Sequence, residues 1–317
     1  MEQERLKELK DHSVLVGSNP DLVQASGGNT SWKSGSTVWV KGSGKRLKDA
    51  WKEDIFSNIT FETVTEDQII SCHDFSALAS NSISPSIEAN FHILIKNDYV
   101  THLHSLGAIS LSVSSESIRS NILDLGISFI PYCRPGVDLA HSIRNTSNFQ
   151  DNILVLQNHG VIFSGSSCLE IEKKLETFES SVKEHFDSMV EFSQFPDWVE
   201  ILVSGVLTPD EAVFLGKNPF VKSEVVVSQS IAINKSGNLL FPEGLSNDRV
   251  EMANFYARVA KLIGKKTPVS YLPNSEVESL LRWDKEIRRI EMNNEDISKY
   301  KPLIKLYDRA DIINDIA

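Results

Sequence analysis

Two hydrophobic periods alternate along this chain, and the switches between them mark its elements. Residues 2–17, rich in Glu, Lys and Leu, read as a helix ending near Gly17. A Gly/Ser/Asn-rich stretch, Ser26-Gly27-Gly28-Asn29-Thr30-Ser31, separates it from an alternating strand over 36–41. A second Gly/Ser loop follows, Lys41-Gly42-Ser43-Gly44-Lys45. Ser84 suits an N-cap and Pro85 the first helical position, which predicts a helix to about Lys96. Its apolar face would be Ile87, Phe91, Leu94 and Ile95.

Tyr99 to His104 reads as a strand, 106–125 as a helix, and Ile127 to Tyr132 as a short apolar strand. Ile153-Leu154-Val155-Leu156 has the continuous apolar run of a fully buried strand. A long amphipathic helix covers 167–192. This alternation of strands and helices predicts a layered α/β domain. After Pro196 the character changes. Short strands over 211–216, 223–227 and 229–241 surround turn signals such as Lys235-Ser236-Gly237-Asn238, and helices follow over 247–264 and 275–292. The expected division is therefore a domain over 1–195 and an α/β extension over 196–317, with no internal repeat.

Composition narrows the function classes. Hydrophobic residues make up 41% and charged residues 24%, as in an ordinary globular chain. A net charge of −11 repels polyphosphate backbones, so nucleic acid is not expected as a partner. A small phosphorylated substrate is still compatible, because backbone N–H groups can bind an anion on an acidic protein. Cys72, Cys133 and Cys168 lie far apart and form no CxxC pair, which argues against a disulfide framework and for a reducing compartment. The N-terminus lacks an apolar signal-peptide region, and no run approaches the roughly 20 apolar residues of a membrane span. A cytoplasmic location, away from membranes, is expected.

The sharpest chemical signal is His102-Leu103-His104. Side chains at i and i+2 of a strand share a face, so both imidazoles can converge on one ion. His159 follows the buried run 153–157, in Asn158-His159-Gly160. Three histidines with an open fourth position form the ligand set of a catalytic zinc or similar divalent metal. Isolated histidines, by contrast, are more often core or surface residues. Glu88, placed in the first turn of the helix expected after Pro85, either removes a proton beside the metal or only stabilises the helix. The two Gly loops are either N–H nests for a phosphate or plain tight turns. No Walker A, GxGxxG or GxSxG sequence occurs.

Taken in order, these motifs resemble the class II aldolase/adducin family over roughly residues 5–190. Gly27-Gly28-Asn29-Thr30-Ser31 resembles its Gly-Asn-x-Ser phosphate loop, and Lys41-Gly42-Ser43-Gly44 its second phosphate loop. Pro85-Ser86-Ile87-Glu88 is similar to its Pro-Ser-Ser-Glu helix start. His102-x-His104 and Asn158-His159-Gly160 are similar to its metal ligands. Ile87 departs from the pattern by replacing the second serine. Tyr132-Cys133-Arg134-Pro135-Gly136 and Thr208-Pro209-Asp210 resemble the aldolase half of bifunctional rhamnulose-phosphate aldolase/dehydrogenase proteins.

The resemblance implies a three-layer α/β/α domain with a central mixed or antiparallel sheet. It implies zinc held by His102, His104 and His159, with Glu88 as acid/base at the carbon beside the carbonyl. Gly28, Asn29, Ser43, Gly44 and Ser86 would hold the substrate phosphate. Tyr132, reaching a neighbouring subunit of a homotetramer, would protonate the leaving aldehyde. The implied activity is retro-aldol cleavage of a ketose phosphate through a metal-stabilised enediolate. The same scaffold also hosts sugar-phosphate 4-epimerases, decarboxylases and a dehydratase, and non-catalytic adducin-like domains. A cupin arrangement fails because Glu88 precedes the histidine pair rather than following it.

Overall fold

A computed structural model describes residues 2–115, 126–150, 153–187, 197–264 and 267–283. The expected parts of helices beyond 115, 187 and 283 lie outside those residues. The frame is one seven-stranded mixed sheet. Its strands are β1 (Asn29–Ser34), β2 (Thr37–Lys41), β3 (Phe56–Thr60), β4 (Tyr99–Leu103), β5 (Ile127–Ile130), β6 (Ile153–Leu156) and β7 (Gly160–Gly165), in the order β3-β2-β1-β4-β7-β6-β5. Every pairing is antiparallel except β5 with β6.

Helices cover both faces, as alternation of the strand side chains requires. On one face Tyr99, Leu103, Val161 and Phe163 pack in a common core with α1 (Glu2–Gly17), α4 (Leu106–Val113) and α6 (Cys168–Asp187). On the other, Val100, Leu154, Leu156 and Ile162 meet α3 (Ala89–Leu94) and α5 (Val137–Arg144). Val38, Val40 and Ile59 on that side pack with α3 and α2 (Glu66–Ser71). The three-layer α/β/α architecture is thus present.

The later residues supply α7 (Val199–Ser204), α8 (Pro209–Leu215), a small sheet of β8 (Phe220–Lys222), β9 (Ile231–Ile233) and β10 (Leu239–Leu240), then α9 (Asn247–Ile263) and α10 (Asn274–Leu281). They are built into the same core as α4 and α6: Leu207, Phe214, Phe255 and Val259 belong to the cluster that holds Leu111, Phe178 and Val182.

Several local expectations need correction. The strand expected over 211–216 is helix α8. Thr208 caps it by accepting from the Glu211 N–H, and Pro209 opens it. Residues 209–215 are all buried, and a helix buried on every side has no polar stripe to distinguish it from a strand. Residues 223–227 form no strand, and Val225, Val226 and Val227 are exposed. The helix expected from Pro85 to Lys96 is only Ala89–Leu94. Pro85 instead bridges Gly42 across a short antiparallel contact, and Ile95 turns extended into the approach to β4. Ser84 therefore caps nothing, and Glu88 holds the N-cap position rather than the first turn. Strand β1 was hidden by its polar sequence. Its polar groups find partners inside the fold: Thr30 bonds Ser13 at 2.7 Å, and Ser31 bonds His92 at 2.7 Å. Among the described residues no helix is long and apolar enough to cross a membrane.

Candidate metal centre

The sheet register assembles the site. Asn29 of β1 lies directly opposite His102 of β4, and Leu103 lies opposite Val161 of β7. His159 sits in the turn between β6 and β7, so strand β4 with the residue just past it and the turn entering its neighbour β7 deliver three imidazoles to one end of the sheet. Their candidate ligand nitrogens all lie within 4.8 Å of one another, and His102 Nε2 is 3.0 Å from His104 Nε2. Gly160 makes this convergence possible. A Cβ there would collide with the Leu103 carbonyl oxygen and stand 3.1 Å from the rings of both His102 and His104.

Each partner prepares its imidazole to act as a ligand. His102 Nδ1 lies 3.0 Å from the Val161 carbonyl oxygen. A carbonyl only accepts, so Nδ1 carries the proton and the Nε2 lone pair is left unshared on the side where the other histidines converge. Burial, opposed by Glu88 and aided by His104 and His159, pushes His102 down to about 3, which leaves a neutral ring at physiological pH. His104 Nδ1 stands 2.8 Å from the Asp210 carboxylate, so its Nε2 is likewise the free ligand atom. These residues fit a divalent metal ion: three buried, converging imidazole nitrogens, one ring with its proton held on the far side by a backbone carbonyl and a second with a carboxylate on that side.

Glu88 faces this triad. Its Oε2 lies 3.6 Å from His102 Nε2 and its Oε1 3.4 Å from His159 Nε2. Burial pushes the carboxyl up, but His102, His159, the Asn29 amide and His104 outweigh it and hold Glu88 below the usual range. Asn29 Nδ2 donates to Glu88 Oε2 at 2.8 Å. The Asn29 carbonyl oxygen accepts from His92 Nε2, whose Nδ1 accepts from Ser31 Oγ at 2.7 Å. Burial, with Lys33, His102 and Lys41 adding to it, keeps His92 well below its usual value and therefore neutral. His92 thus orients the amide that orients Glu88.

One cleft brings together Gly28, Asn29, Ser43, Gly44, Ser86, Glu88, His104 and His159, with His102 fully buried beneath it. The loop over 42–44 is pinned to the 84–86 segment, where the Ser43 N–H donates to the Ser84 carbonyl at 2.9 Å. That bond occupies the Ser43 amide. Gly28 adopts φ +60°, and a Cβ there would lie 2.8 Å from the His102 carbonyl oxygen. Tyr132 is not among the residues lining the cleft. Its hydroxyl donates to Glu276 at 2.9 Å, and burial together with Glu276 raises the phenol far above its ordinary value.

Lys41 and Asp210 also line the cleft; the sequence placed both in motifs but gave neither a role. Lys41 is buried, and its Nζ donates to the Ser26 carbonyl at 2.6 Å and to the Lys45 carbonyl at 2.9 Å. Asp210 comes from the first turn of α8. The Thr208-Pro209-Asp210-Glu211 sequence is a helix-start signal, but the apolar run after it favours a strand and hides the carboxylate's direction.

A family model described as Class II Aldolase and Adducin N-terminal domain matches residues 15–186, and the chain belongs to that family. The chain is 26% identical over 188 residues to the L-fuculose phosphate aldolase of Methanocaldococcus jannaschii, a match covering 56% of this chain and 89% of that protein. It is 25% identical over 184 residues to the "Uncharacterized oxidoreductase YuxG" of Bacillus subtilis, covering 51% of this chain. The chain spans only 27% of that protein's length. The N-terminal class II aldolase domain of a conserved protein from Thermoplasma acidophilum is 23% identical in sequence, with a TM-score of 0.47. That likeness covers 56% of this chain and 92% of that one.

Proposed function

We propose that the protein is a zinc-dependent lyase that cleaves a ketose phosphate by retro-aldol chemistry. The observation that carries this reading is the Glu88 carboxylate, held by Asn29 against three converging histidines at the floor of a polar cleft. A divalent ion bound there supplies electrophilic stabilisation of negative charge on a substrate carbonyl oxygen.

The chain's own residues then divide the work. The hydroxyls of Ser43 and Ser86, the Asn29 amide and the backbone of Gly28 and Gly44 form a wall suited to a phosphate. Cleavage breaks the carbon–carbon bond beyond the carbonyl, leaves its electron pair on the carbon next to that carbonyl, and frees an aldehyde as the hydroxyl on the departing carbon passes its proton to the ionised Glu88 carboxylate. Glu88 delivers a proton to the carbon that received the pair, and removes it in the reverse direction. A carboxylate on a neutral, hydrogen-bonded amide has one fixed direction, which suits transfer at a single carbon.

Tyr132 enters this reading only through a neighbouring subunit, since within its own chain it bonds Glu276 outside the cleft. A mass of four chains in solution, with cleavage weakened in Tyr132→Phe, would support its role at the oxygen of the leaving aldehyde, where it relays the hydroxyl proton in cleavage and donates to that oxygen in the reverse direction. A monomer would remove it.

The direct test incubates the metal-loaded protein with a panel of ketose phosphates. Equimolar appearance of an aldehyde and a shorter phosphorylated ketone is the expected result. Conversion to an epimer without cleavage, or loss of carbon dioxide, would transfer the site to those related chemistries.

A further inference from the structure

We propose that Asp210, carried by the later segment of the chain, is a positioning residue of the metal centre that sets its affinity through His104. The inference rests on the metal-dependent reading above. His104 lies one residue past the end of β4, so the sheet ladder does not fix its ring as it fixes His102. What holds it is the Asp210 carboxylate, 2.8 Å from Nδ1, with both side chains buried. A carboxylate on the far nitrogen selects the tautomer, aims Nε2 and raises the ring's basicity as a ligand.

The surroundings are shaped for this pair. A Cβ on Gly27 would lie 3.1 Å from both the Asp210 oxygen and His104 Nδ1, so glycine leaves the space the contact needs. The turn that presents Asp210 is itself anchored. Thr208 caps α8 and shares a hydrogen bond with the buried Tyr256 hydroxyl. Asn158 Nδ2, next to the ligand His159, donates to the Leu207 and Ser270 carbonyls, each at 2.7 Å. The His159 turn and the Asp210 turn are thereby clamped together. The segment over 206–216 is therefore part of the centre's construction, although no metal ligand comes from it.

The test measures zinc affinity of the metal-free full-length chain by competition with a chelator. The proteins are wild type, Asp210→Asn, His104→Ala and the double variant. Asp210→Asn keeps volume and removes the charge, and zinc binding is expected to weaken by about 10–100-fold. In the His104→Ala background the same change is expected to add little, which separates orientation of that ring from general loosening. Asp210→Ala, which opens space rather than crowding it, carries the same expectation if the amide variant folds poorly. Equal zinc affinity in wild type and both Asp210 variants would overturn the inference and leave the metal centre standing. A full loss on top of His104→Ala would overturn it too. A wild type that takes up no zinc would overturn both readings together.

Discussion

The sheet and the segment over 197–283 hold neighbouring histidines by different means. His102 lies within β4 and is oriented by a backbone carbonyl of the adjoining strand, a partner that no side-chain substitution removes. His104 lies just past the strand and is oriented by a carboxylate delivered by a separate helix. The first arrangement comes free with the ladder. The second depends on the docking of α8 and on every contact that secures it.

The largest expected effect lies on the sheet side. Glu88→Gln keeps the shape and the Asn29 contact through its carbonyl oxygen but cannot carry the proton. The cleavage rate should fall by about 10²–10⁴-fold with bound metal unchanged, read by turnover and elemental analysis on the same sample. Loss of metal in step with activity would mean that Glu88 serves the ion rather than the substrate.

Next in size is a pH effect, with one buried carboxyl in each region. Glu179 of α6 accepts from Ser105 Oγ at 2.5 Å and the Gly107 N–H at 3.0 Å, and burial pushes it up to about 7. Glu211 of α8 accepts from the Leu207 N–H at 2.6 Å, and burial pushes it up to about 8. Both bind a proton more tightly folded than unfolded, where the ordinary value is 4.5. Their contribution is complete below that value and is lost as pH rises towards 7 and 8 respectively. Urea midpoints should fall across this window, and Glu211→Gln should flatten the upper part of the fall more than Glu179→Gln. An unchanged slope in both variants would contradict the assignment.

Asn158→Ala cuts the clamp between the regions. The buried Leu207 carbonyl and the part-buried Ser270 carbonyl lose a donor, so stability should fall by about 1–3 kcal/mol in urea unfolding, with zinc affinity falling alongside. The smallest effect is at the outer tie. Tyr132→Phe removes the hydroxyl that donates to Glu276, while Arg134 still holds that carboxylate at 2.8 Å, so about 1 kcal/mol should be lost.

How much the sequence revealed follows the same boundary. The convergence of the three candidate histidines was legible because strand periodicity puts His102 and His104 on one side, and because His159 follows an unmistakable buried run. The layered class was legible from alternating elements. Strand β1 was not, since a central strand built from Asn29, Thr30 and Ser31 looks like a loop until Ser13 and His92 are known to satisfy it. Helix α8 was not, because Ala212 to Leu215 are apolar on every face. Asp210 was out of reach for that reason: a residue assigned to the edge of a strand gives no hint that it meets His104. His92 carried a faint signal, four residues after Glu88, yet its route to that carboxylate runs through Asn29 and is a tertiary fact.

The central claim is that His102, His104 and His159 bind a catalytic metal. Its most direct test is elemental analysis of the purified wild type beside His102→Ala/His104→Ala. The account predicts about one zinc per chain in the wild type and none in the variant. A wild type without metal, and unable to take up zinc on addition, would contradict it.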